Sequence, residues 1–289
     1  MKSALVFSLF LAWNGYSQQD STWNKRSWAV TAANSVIGGG SVVVLNSVWY
    51  ADYPRTNFHV FNDSKNWLYM DKIGHAYASY QLSQSEYAAW KWARLPRKKA
   101  VWLSGGIAFS YLLSVEILDA FSAEWGFSPA DLTANTIGAG LFVSQQLIWD
   151  EQRIHLKFGY KPSNYAALRP NTLGSNFQER LLKDYNAQSY WLAASPGLFF
   201  KDDLGFPKWL QLSVGYSIDQ KLKGDENEFS INGFTYIAQP EFAVSLDIDW
   251  NKLPIKRKWI KKCLQPLNAI KFPFPAVYWR NGVCYVGLL

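Results

Sequence analysis

The 289-residue sequence is poor in cysteine and in charge. Its two cysteines, Cys263 and Cys284, form no C-x-x-C pair, which excludes a disulfide scaffold and a thiolate zinc site. Charged residues make up 18% of the chain, below the roughly one quarter typical of soluble domains, while 49% is hydrophobic and 17% aromatic. A disordered, collagenous or low-complexity chain is therefore excluded, and a substantial core can form. Motifs of known chemistry are missing too: there is no H-E-x-x-H, no G-x-S-x-G and no phosphate-binding loop. The remaining charge is unbalanced, with 29 Lys and Arg against 22 Asp and Glu for a net +7, and it suits an anionic surface.

What is present begins with an export signal. Lys2, the apolar run Ala4 to Trp13 and the small-residue end at Ser17 have the order of a secretory signal peptide, so residues 1–17 are expected to be removed. No cysteine follows the expected cut, which leaves no lipid attachment point there. Three further stretches carry no charged residue: Ala29 to Ala51, Ala100 to Val115 and Leu132 to Trp149. The first is close to the roughly 20 residues a bilayer-crossing helix needs. All three are rich in Gly, Ala and Ser, which let helix backbones approach closely. A membrane-associated helical bundle and a buried soluble bundle are both compatible with this pattern. Membrane association is favoured by Lys25 and Arg26 before the first run, and by Lys91, Arg94, Arg97, Lys98 and Lys99 before the second. Trp23, Trp28, Trp49 and Tyr50 around the first run, with Trp90, Trp92 and Trp102 around the second, are the aromatics expected at an interface.

After about Asn186 the period changes from helical to alternating. Leu210, Leu212, Val214, Tyr216 and Ile218 alternate with polar or small residues, as do Phe242, Val244, Leu246, Ile248 and Trp250, and both segments predict strands with one apolar and one water-facing side. Asn232-Gly233 and Asn281-Gly282 predict tight hairpin turns. A transmembrane barrel needs at least about eight strands, more than this pattern supplies, so a small sheet of roughly four to six is expected. Ile255 to Ile270, with Lys256, Arg257, Lys258, Lys261 and Lys262, predicts a basic amphipathic helix that lies on lipid or packs on the sheet. The fold expected is α+β: a signal peptide at 1–17, a membrane-associated helical domain at 18–185 and a strand-rich region with the basic helix at 186–289.

Three helix-borne polar pairs carry the candidate chemistry. Asp71 and His75 are four apart, Glu116 and Asp119 three apart, and Asp131 and Asn135 four apart, so each pair shares a helix face beside small residues. Spacing suggests that they converge. In a hydrolase, His75 would be a general base oriented by a carboxylate, with Glu116 kept protonated by burial as a general acid and Asp119 and Asp71 as further catalytic candidates. The same imidazole and carboxylates suit a divalent metal such as zinc, manganese or iron. In a non-catalytic protein, Lys72, Asp131 and Asn135 join them as binding residues or polar glue between helices. Ser128-Pro129-Ala130-Asp131 also predicts a helix start, with Ser128 as cap and Pro129 first in the helix. The sequence names no cofactor and no protein partner, and it carries no nucleic-acid-binding motif.

The order Asp71-Lys72-x-x-His75, then Glu116-x-x-Asp119, then Gly126-Phe127-Ser128-Pro129-Ala130-Asp131 and a helix with Gly138 resembles the YfiM-type predicted periplasmic lipoproteins, domain of unknown function 2279. It is distantly similar to VanZ-like membrane proteins. The resemblance covers roughly Trp67 to Ser144 and implies an envelope location, periplasm or outer membrane, with a helical domain of unassigned biochemistry. Together these readings predict an exported, membrane-associated protein that binds or organises a membrane lipid or another envelope component. The alternative is a lipid- or cell-wall-directed hydrolase.

Overall fold

A computed structural model of the chain describes residues 23–50, 53–200 and 205–288. The expected signal peptide, residues 1–17, lies outside the described residues. The fold is α+β. The chain divides into two compact units, residues 1–64 with 78–151 and residues 65–77 with 152–289. The first strand therefore begins well before Asn186.

The first unit is helical. Asn24 caps the first helix, accepting from the Arg26 and Ser27 amides. That helix runs without a break from α1 (Lys25–Ala33) through a wide π turn (Asn34–Gly38) into α2 (Gly39–Val44) and a second π turn (Leu45–Trp49). The later turns of α3 (Met70–Trp92), then α4 (Arg97–Asp119) and α5 (Pro129–Ile148) complete the unit. Its core joins Val30, Trp90, Ala93, Leu95, Ala100 and Ile107, with Trp23 packed against them. Trp23 and Trp90 therefore belong to the core, while Trp28, Trp92 and Trp102 stay exposed. Gly105 of α4 lets α5 come close, because a Cβ there would lie 2.6 Å from a Val143 methyl. Several of the expected surface cations are engaged within the protein. Arg97 donates to the Gln146 and Leu147 carbonyls at the end of α5, and Arg26 donates to the Trp92 carbonyl at the end of α3.

In the second unit β1 (Ile154–Tyr160), β2 (Gln188–Ala194), β3 (Leu210–Asp219), β6 (Gln239–Ile248), β7 (Pro275–Arg280) and β8 (Val283–Leu288) form one antiparallel sheet in the order β1-β2-β3-β6-β7-β8. A separate hairpin pairs β4 (Glu228–Ile231) with β5 (Phe234–Ile237). Both Asn-Gly dipeptides make the expected turns, with φ of 53° and 78° at Asn232 and Gly233 and 49° and 75° at Asn281 and Gly282. The basic segment departs from expectation. It folds as a short α-helix (Lys258–Leu264) followed by a 3-10 turn (Gln265–Ala269), because Pro266 has no amide to continue the helix.

The sheet's two faces also reverse the ordinary arrangement. The alternation is as expected, but Leu212 and Val214 point outward at 47% and 56% exposure, while Gln211 and Ser213 are fully buried.

Candidate functional site

The second unit holds Asp71 and His75 on the first turns of α3. The chain enters this helix through Trp67, Leu68 and Tyr69, all with positive φ (52°, 49° and 68°), a conformation costly for side chains of this size. It is held there by contacts around it: the Trp67 amide donates to the Gly224 carbonyl at 2.8 Å, and the Tyr216 hydroxyl to the Leu68 carbonyl at 2.7 Å. The entry fixes where Asp71 begins.

Asp71 gathers polar partners. Lys72 Nζ donates to Asp71 Oδ2 at 2.8 Å, the Tyr185 hydroxyl to Oδ1 at 2.6 Å, and His75 Nε2 lies 4.0 Å from Oδ1. Burial alone pushes the Asp71 carboxyl up, but His75, Lys72 and the Tyr185 hydroxyl outweigh it and hold the group below the usual carboxylate range. Its place in the first turn, near the positive end of the helix dipole, favours the same ionised form. Asp71 and His75 keep about a fifth of their side-chain surface open, so the cluster is reachable from solvent. Underneath, Gly74 leaves room for Tyr190: a Cβ there would lie 2.8 Å from the Tyr190 hydroxyl oxygen.

The first unit places Glu116, Asp119, Asp131 and Asn135. Glu116 is 1% exposed, and its Oε2 accepts from the Ser128 amide at 3.3 Å. Ser128 caps α5 as expected. Its Oγ accepts from the Asp131 amide at 3.1 Å and donates to Asp63 Oδ1 at 2.5 Å. Asp119 has a separate partner, with Oδ1 accepting from the Tyr50 hydroxyl at 2.6 Å. Burial, and then the charge of Asp119, push the Tyr50 hydroxyl far above its ordinary range. Asn135 is fully buried, and its carbonyl accepts from Ser79 Oγ of α3 at 2.7 Å. Glu116 and Asp119, three apart on one helix, thus serve different neighbours: the start of α5 and the end of the first helix.

Tyr185 and Asp63 carry no sequence signal for these roles, and Tyr50, expected as an interfacial aromatic, instead donates to Asp119. Tyr185 is 114 positions from Asp71, in a turn without periodicity, and no local signal connects the two.

Residues 59–146 match the family model of DUF2279, described as a predicted periplasmic lipoprotein. The DUF2279 match contains Asp71, Lys72, His75, Glu116, Asp119, Asp131 and Asn135, and it agrees with the resemblance carried by those motifs. The strands lie outside it. The description agrees with export to the envelope and the periplasm. The VanZ-like similarity receives no support, and neither a curated protein nor a solved structure matches the chain.

As for chemistry, Asp71 and His75 offer a hard carboxylate and an imidazole one helical turn apart, ligand types that suit zinc, manganese or iron. The same pair, with Lys72 and Tyr185, also offers donors and an acceptor to a polar ligand.

Proposed function

We propose that this exported protein is held at or in a membrane through its helical unit and binds or organises an envelope component there. The observation that carries this reading is the helix Lys25–Ser47, long and apolar enough to cross a bilayer, with Val36 and Ile37 at 72% and 71% exposure and Val43 and Val44 also outside. The core helix of a water-soluble protein buries such side chains. Here only 22% of the most apolar stretch is buried. Arg97–Asp119 passes the same length and composition test, but it is half buried and contributes to the core. Lys25 and Arg26 at the start of the first helix suit anionic headgroups. The partly open Asp71, Lys72, His75 and Tyr185 cluster is the proposed ligand-facing part, with Asp131 and Asn135 as further candidate binding residues. The hydrolase reading receives no support from the family match and is not preferred.

Fractionation of cells tests the membrane part. The protein should pellet with envelope membranes and resist a high-salt wash, and Ile37→Asp with Val44→Asp should release it into the soluble fraction. Wild-type protein found wholly soluble would overturn the reading.

A further inference from the structure

The second unit carries its charge inside and its hydrocarbon outside. Along the inner face run His155, Lys157, Gln211, Ser213, Ser245 and Asp247, all buried. Lys157 Nζ lies 3.1 Å from Asp247 Oδ1 and donates to the Ile248 carbonyl at 2.7 Å. Lys271 Nζ, 3.8 Å from Asp247 Oδ2, donates to the Leu246 and Phe272 carbonyls. His155 Nε2 sits 3.5 Å from Asp249 Oδ2. These groups are buried because the sheet curls on itself: Phe158 of β1 bridges to Ile270, just before β7, and Lys161 beyond β1 donates to the Leu288 carbonyl at the end of β8.

The outer face reads the opposite way. Strand register aligns Leu156, Leu192, Val214, Val244, Val277 and Val286 in one row across all six strands. A neighbouring row runs through Ile154, Ala194, Leu212 and Leu246, and on the last two strands Pro275 faces Leu288. On the other side lies an aromatic row of Phe158, Tyr190, Tyr216, Phe242 and Trp279. Met70, Ile73 and Tyr77 of α3 pack in the cluster with Phe158, Tyr190 and Tyr216, and the rest of the band stays open, with Val286 at 73% exposure and Leu288 at 59%.

Apolar-out, polar-in alternation with a flanking aromatic row is the pattern of a β-sheet surrounded by lipid. The open part of the band beyond α3 spans all six strands, and the basic segment beside it complements a lipid surface rather than a second copy of this cationic chain. The central β3 and β6 are each 10 residues long and the flanking strands 6 or 7, so the face is deep enough to seat in the hydrocarbon at its centre and shallower toward its edges. At the end where β6 leaves and β7 enters lies the basic segment with Lys256, Arg257, Lys258, Lys261 and Lys262, and with Trp259 at 64% exposure. This charge complements anionic headgroups at the edge of an apolar band.

We propose that the outward face of the six-stranded sheet is seated in the hydrocarbon of a lipid bilayer, with the Lys256–Lys262 segment at the headgroups. This rests on the membrane reading above and adds a second surface, so the test separates the two. The full mature chain, with Cys263→Ser and Cys284→Ser, is given single cysteines at Val214, Val244 or Val286 on the band, at Ile37 on the first helix, or at Asp225 as an aqueous control. Each is labelled with an environment-sensitive fluorophore and reconstituted into phosphatidylethanolamine and phosphatidylglycerol vesicles containing doxyl-labelled lipid. Labels at the three band positions should be blue-shifted and quenched several-fold more than the label at Asp225. Band labels as wet as the Asp225 label, with the Ile37 label quenched, would overturn the sheet proposal and leave the membrane reading standing. All positions wet would overturn both. Band labels quenched with the Ile37 label wet would support the sheet proposal and overturn the helix as the anchor. Band labels shielded but unquenched by doxyl lipid, in protein that cross-links to itself, would assign the face to a second copy and overturn the lipid occupant.

Discussion

The Tyr185 hydroxyl donates to Asp71 Oδ1 at 2.6 Å, tying the turn before β2 to the first turn of α3 across 114 positions of sequence. That bond, with Lys72 and His75 on the same carboxylate, makes Asp71 the centre of the reachable polar cluster. Its ionised form is what the fold stabilises.

The acid stability of the protein should depend on this carboxylate. Because the folded state holds Asp71 below its ordinary range, its contribution is fully present above about pH 4 and lost as pH falls through the lowered folded value. Asp71→Asn should therefore destabilise at neutral pH by about 1–3 kcal/mol, and the difference from wild type should shrink below about pH 4. Thermal unfolding followed by circular dichroism across this window measures it, and a difference that does not change with pH would contradict the assignment.

Gly74→Ala should cost on the order of 1–3 kcal/mol, since the new methyl would meet the Tyr190 hydroxyl oxygen at 2.8 Å. The next Tyr190 atom lies at 3.5 Å, an ordinary contact. Tyr190→Phe in the Gly74→Ala background should thus restore much of the loss, as a double-mutant cycle in chemical denaturation will report.

At the start of α5 the usual ranking of caps should fail. Ser128→Ala should cost about 1 kcal/mol through the lost bond to the Asp131 amide. Ser128→Asp, elsewhere an equal cap, should cost more than alanine, because Asp63 and the buried Glu116 already stand beside this position. Thermal unfolding of the three proteins measures this, and equal stability of the aspartate variant and wild type would contradict the prediction.

Tyr69→Gly should be neutral or stabilising by up to about 1 kcal/mol, because φ of 68° is unfavourable for tyrosine and the ring is 48% exposed. A large loss of stability would mean that the ring does more than its exposure implies.

Metal content gives the fifth test. If Asp71 and His75 hold a divalent ion, protein purified from envelope fractions should carry it in stoichiometric amount and His75→Ala should lose it, as elemental analysis reads directly. Metal-free wild type that takes up none of zinc, manganese or iron on titration would leave the cluster as a site for a polar ligand.

Local features were legible from the sequence because they rest on local physics. The 3.6-residue and two-residue periods mark helices and strands, Ser128 followed by Pro129 marks the start of α5, and each Asn-Gly supplies the positive φ its hairpin requires. The spacing of Asp71 and His75 on one face likewise follows from the helix itself. What only the tertiary structure decided is which distant group each polar residue meets and which way the sheet faces. Glu116 and Asp119 share a helix, yet chain folding gives one to the Ser128 amide and the other to Tyr50. Alternation fixes that β3 and β6 have an apolar and a polar side, but not which side is enclosed. That depends on the sheet curling around Lys157, Asp247 and Lys271, whose ion pairs and carbonyl contacts compensate the burial of charge.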